Sequence, residues 1–162
     1  MSLAEWHAAL NDFPPALLLA SVVFDLAGAA KHRETLKAAG YWSLVAGSAS
    51  AIVAMISGLL AEQRVDRTAA VDRLIETHET LGITLTILFV GLAAWRVWRR
   101  NHFSAPEQQS YTVTAVVGVL ALLWTAHLGG IMVYRHAAGI PGSVLQTELR
   151  ERADSSAPTG ER

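Results

Sequence analysis

The chain has 162 residues, is 52% hydrophobic, carries a net charge of -1 and has a mean hydropathy of +0.32. That hydropathy is too high for an ordinary soluble domain of this size and points to an integral membrane protein. The charge names no partner, no basic patch with interleaved aromatics suggests nucleic acid, and the absence of cysteine excludes cysteine-ligated iron–sulfur clusters, C-x-x-C-H haem attachment and disulfides.

Residues 1–13, MSLAEWHAALNDF, lack a positively charged n-region and contain Glu5 and Asp12. They do not resemble a cleaved signal peptide, so the first apolar block is expected to be retained. They read as an interfacial lead-in, with Trp6 and Phe13 at the headgroup surface. Pro14-Pro15 suits the first turn of a helix, where a missing N–H costs nothing.

Four membrane spans follow within residues 14–140, and the fold expected is an all-α, integral membrane four-helix bundle. Segment one, residues 14–30, is at the lower edge of what crosses the hydrocarbon, which takes about 17–25 residues. It contains Asp25, for which two readings stand: a hydrogen bond to Ser48 or Ser50 of the next helix, or a place on a proton path. Segment two, residues 41–61, starts at the interfacial pair Tyr41 and Trp42 and is rich in Gly, Ala and Ser, which lets neighbouring backbones approach. Residues 62–76 are a mixed-charge connector, either a short interfacial helix or a solvated loop. Segment three, residues 77–98, begins at His78 and Glu79 and is followed by Arg99-Arg100. His78, Gly82, Leu85 and Phe89 share one helical face, and a glycine one turn from a histidine leaves room for something broad beside it. Segment four, residues 111–135, runs from Tyr111 to Tyr134-Arg135, with His127 and the pair Gly129-Gly130 inside it. Residues 141–162 read as a polar tail, helical near 145–151 and otherwise disordered.

Lys31, Arg33, Lys37, Arg96, Arg99 and Arg100 gather beside the loops after segments one and three. The positive-inside rule therefore puts both termini outside, although Arg64, Arg67 and Arg73 in the outer connector soften the bias. With that orientation His32 and His102 lie on the cytoplasmic side. His7, His78, His127 and His136, four of the six histidines, lie towards the outer side from three separate parts of the chain.

Neutral imidazole binds haem iron, copper, zinc or nickel. Facing histidines with glycines such as Gly82 and Gly130 beside them suit b-type haem, whose macrocycle needs apolar walls and whose two axial imidazoles make an electron carrier. Arg73 and Arg135 are candidates to pair with the propionates. His127 is the most deeply embedded ligand and His78 its natural partner. Their depths differ, so His78 pairs alternatively with His136 or His7. His127 and His136 are nine residues apart and point to opposite faces. Against this stands a plain reading in which interfacial histidines bond to carbonyls or lipid headgroups.

WHAALNDFPPALLLASVVFDLAG resembles the opening of the DUF2231 family of small bacterial membrane proteins, which typically begin with an HPxxVHFPIALL-like run. THETLGITLTILF is similar to that family's histidine at the start of its third helix, and HLGGIMVYRHAAGI to its closing GGxLVYxHGVG motif. The resemblance runs over residues 6–140. It puts His7, His78 and His136 at family histidine positions, Asp12 where a second histidine usually precedes Phe-Pro, and Ala138 where a glycine is usual.

The function expected is a b-type haem electron-transfer subunit of the bacterial inner membrane, working with a quinone or a periplasmic redox partner inside a larger assembly. The alternatives are a haem-free accessory subunit and an outer-side copper or zinc site on the same four histidines. No nucleophile–base arrangement suggests hydrolysis, and no glycine loop suggests phosphate binding.

Overall fold

The computed structural model describes residues 2–62 and 69–156. Six helices follow in order: α1 Leu3–Leu10, α2 Phe13–Ala30, α3 Glu34–Glu62, α4 Ala69–Trp98, α5 Ala105–His136 and α6 Gly142–Ser156. No strand occurs among the described residues. The four expected spans fall within α2, α3, α4 and α5, and among the described residues four helical stretches are long and apolar enough to cross a bilayer. One of these, Leu3–Ala30, takes in α1 and α2 together.

Local chemistry sets the helix ends. Ser2 Oγ accepts from the Glu5 N–H at 3.2 Å while Glu5 Oε2 accepts from the Ser2 N–H at 2.8 Å, a capping box that starts α1. Ser104 and Glu107 make the same box at the start of α5. Ala137 closes α5 in the left-handed region at φ 51°, and the N–H groups of Ala137 and Ala138 return to the carbonyls of Val133 and Met132. The polar tail is helical over the whole of α6, longer than the 145–151 expected, and almost fully exposed; residues 157–162 lie outside the described residues. The outer connector divides: 69–76 belong to α4, while 63–68, with Arg64 and Arg67, lie outside the described residues.

Each long helix packs on the next in sequence, α5 returns to α2 to close the ring, and α1 lies on α3. The core comprises Leu18, Leu44, Phe89, Leu92, Tyr111, Ala115 and Val119. Lipid supplies no hydrophobic drive between helices, so close packing does that work. Gly47 lets α3 seat against Leu18 of α2, and Gly118 lets α5 seat against Phe89 of α4. A Cβ at Gly47 would lie 2.8 Å from Leu18 Cγ and Cδ2. Gly47→Leu is expected to destabilise the bundle by about 1–3 kcal/mol through overpacking, as read by unfolding in detergent. Outward-facing side chains are apolar, among them Val23, Val53, Ile56, Ile87, Val117 and Leu120, as contact with lipid tails requires.

One expected contact is replaced. Asp25 does not bond to Ser48 or Ser50: Ser48 donates to the Phe89 carbonyl at 3.1 Å, and Ser50 to the Gly47 carbonyl at 2.8 Å. Asp25 instead takes a bidentate ion pair from Arg96, with Nη1 to Oδ2 at 2.5 Å and Nη2 to Oδ1 at 2.9 Å. Arg96 is 3% exposed and faces into the bundle, so it does not belong with the loop cations. Its guanidinium also donates to the Tyr111 hydroxyl, the Lys37 carbonyl and Asn101 Oδ1. The rings of Tyr41 and Tyr111 flank it at 5.7 and 5.3 Å. Tyr111, at the opening of segment four, is a core residue, 2% exposed. This one cation joins α2, α3, α4 and α5 near the end where α2 runs into α3 and α4 into α5.

Candidate functional site

At the opposite end, where α1 meets the end of α3, the start of α4 and the end of α5, the helices part around a cavity of about 490 Å³. Its walls are largely Ala, Gly, Leu, Ile, Met and Val. His7 from α1 and His78 from α4 both line it.

The hydrogen bonds fix which nitrogen of each ring carries the proton. His78 Nδ1 lies 3.0 Å from the Thr125 carbonyl, and a carbonyl only accepts, so Nδ1 is the donor. His7 Nδ1 lies 3.0 Å from Ser57 Oγ, and Ser57 gives its single hydroxyl proton to the Ala54 carbonyl at 2.8 Å. Ser57 Oγ therefore accepts from His7. In their neutral forms both rings keep a lone pair on Nε2.

Glycines seat both rings. A Cβ at Gly58 would lie 3.0 Å from His7 Cε1, and one at Gly129 would lie 3.2 Å from His78 Cε1. Gly82 and Gly130 also line the cavity, and a Cβ at either would meet nothing within 4 Å. The broad space expected beside Gly82 is present. Sequence reasoning passed over Asn11, which stands one turn from His7 and also lines the cavity. It passed over Ser57 and Thr125 as well. Thr125 acts through its backbone carbonyl, for which no sequence signal exists.

The other expected residues lie elsewhere. His127 is exposed on the outer surface of α5 with Trp124 tilted beside it, ring centroids 5.6 Å apart, and does not line the cavity. The expected pairing of His78 with His127 is therefore not built: α5 turns its Thr125 and Gly129 inwards, and a residue two positions from either faces away. His136 is exposed at the end of α5, and Arg73 and Arg135 are exposed and outside the cavity wall. Among the described residues, the charged side chains that line it are carboxylates, Asp12, Glu62 and Glu79. Among the described residues no three His, Asp or Glu side chains are grouped so as to hold a metal ion.

The family model described as "Predicted membrane protein (DUF2231)" matches residues 5–142. The chain belongs to the DUF2231 family. No curated protein and no solved structure matches it. The matched stretch takes in α2 to α5 whole and most of α1, including His7, so the cavity belongs to the DUF2231 region. Of the three histidines that the resemblance singles out, His7 and His78 line this cavity, while His136 does not. Asp12 of this DUF2231 protein lines the cavity together with His7.

Proposed function

We propose that this membrane protein is an electron-transfer subunit holding a b-type haem between His7 and His78. The observation that carries this reading is the tautomer pair. Each ring spends its Nδ1 proton on a protein acceptor and keeps the Nε2 lone pair, the state in which imidazole ligates a metal. The cavity volume falls within the range of cofactor pockets, and its small, apolar walls accept a flat macrocycle. When bound, a bis-imidazole haem supplies one-electron transfer with no open coordination position. The chain's own residues do the rest: Ser57 and Thr125 orient the rings, Gly58 and Gly129 let them lie against the helices, and the apolar wall keeps water away. The loop cations support an outer-side location for the site, which in a bacterial inner membrane would be within reach of a quinol or a periplasmic carrier.

The test is an oxidised and dithionite-reduced absorption spectrum of detergent-purified protein from haem-replete cells, with a pyridine haemochrome assay. A sharp α band at the b-haem position is expected, and a featureless spectrum overturns the proposal. Ser57→Ala is expected to weaken haem retention by about 10- to 100-fold, the usual cost of losing a group that orients a ligand, as measured by haem titration.

A second reading is favoured by the charge of the wall. Haem propionates seek cations, yet among the described residues the charged ones lining the cavity are Asp12, Glu62 and Glu79. A neutral quinol needs no cation: its hydroxyls would donate to Nε2 of His7 and His78, and the Asn11 amide would donate to a quinone carbonyl. Quinone in the organic extract of protein lacking a haem spectrum supports this reading. Metal analysis of the same sample tests the copper or zinc alternative, and a sample free of haem, quinone and metal leaves the accessory-subunit reading.

A further inference from the structure

The stripe of α5 that faces away from the bundle carries Val113, Val117, Leu120, Leu123 and Trp124, between 42% and 63% exposed. His127 lies on the same face, one turn beyond Leu123 and Trp124. It stands seven residues before Tyr134, about 10 Å deeper along the helix at 1.5 Å per residue, so the imidazole sits at hydrocarbon depth. No hydrogen bond to its ring is formed among the described residues; its near neighbour is the Trp124 ring. Lipid-facing Thr84, by contrast, satisfies its hydroxyl within its own helix, donating to the Thr80 carbonyl at 2.7 Å. An imidazole that faces lipid with neither its donor nor its acceptor met is costly, and ionisable side chains inside membranes almost always face protein.

We propose that this face of α5 is where a second copy of the chain docks, with His127 meeting His127 of the other copy. Two features single out that occupant. Copies inserted in the same orientation are related by a twofold axis along the membrane normal, so a residue on the contact face meets its own counterpart at its own depth. Neutral imidazole is also one of the few side chains that complements itself: the N–H of one ring donates to the lone pair of the other. One such bond satisfies a donor and an acceptor that lipid leaves unmet. The residues around it are apolar, so nothing repels the second copy. The proposal is independent of what fills the cavity, because His127 does not line it.

The chain has no cysteine, which makes single-cysteine cross-linking clean. Leu120→Cys and Trp124→Cys, oxidised in native membranes, are expected to give disulfide-linked dimers. Ile87→Cys on α4, at a position 67% exposed, is expected to give no disulfide-linked dimer. His127→Leu, an apolar change on a lipid-facing surface, is expected to weaken dimerisation in bilayers by about 3- to 20-fold, in line with single interhelical hydrogen bonds in membranes. His127→Gln, whose amide is also self-complementary, is expected to restore it. Circular dichroism checks that each variant folds. A monomer in lipid nanodiscs, cross-linking at Ile87→Cys equal to that on α5, or a His127→Leu variant that dimerises as well as the parent overturns the proposal.

Discussion

His78→Ala is expected to remove the bis-imidazole absorption spectrum completely, and His7→Ala to do the same. Each change deletes one of the two rings that meet in the cavity, and no third histidine lines the wall to replace it. His127→Ala and His136→Ala are expected to leave the spectrum unchanged, because neither ring reaches the cavity. The contrast matters because depth and helical periodicity alone favour His127. Reduced-minus-oxidised spectra of the four variants, with haem per chain from the pyridine haemochrome, read this directly. A full spectrum from His78→Ala would refute the ligand pair. Loss of the spectrum in His127→Ala would move the site to the outside of α5.

Asp25→Ala is expected to have the largest effect on stability. It leaves the Arg96 guanidinium, 3% exposed, without its carboxylate in the middle of four helices. Breaking a buried pair by removing one partner costs about 3–5 kcal/mol, because the remaining charge stays buried. Tyr111, Lys37 and Asn101 still accept from Arg96, but none of them carries the opposing charge. The double variant Asp25→Leu with Arg96→Met removes both charges and is expected to recover most of the loss. Unfolding of the two variants in detergent measures this. A single variant as stable as the parent would mean that the pair serves some purpose other than holding the helices together.

The four spans were legible in the sequence because the bilayer imposes a crude and reliable requirement: about 20 consecutive apolar residues in a helix that satisfies its own backbone. The end of the bundle at which His7, His78, His127 and His136 gather was legible for the same reason, since antiparallel spans with short connections fix which ends lie together. The face shared by His78, Gly82, Leu85 and Phe89 was also legible, and it is the inward face: Leu85 and Phe89 are buried at 6% and 1% exposure, and His78 and Gly82 line the cavity.

What the sequence could not supply was the rotation of each helix about its own axis. That angle depends on which small residues let neighbours approach, as Gly47 does at Leu18 and Gly118 at Phe89, and those contacts join residues far apart in the chain. Rotation decides that α5 offers Thr125 and Gly129 to the cavity and turns His127 outwards. It also decides that Arg96 points inwards to Asp25, 71 positions away, where its place next to Arg99-Arg100 suggests a loop cation. Composition and period thus determined that this is a four-helix membrane bundle with four of its six histidines at one end. Only the packing of the helices decided which two of those histidines meet, because a side chain's direction around a helix is settled by its neighbours in space.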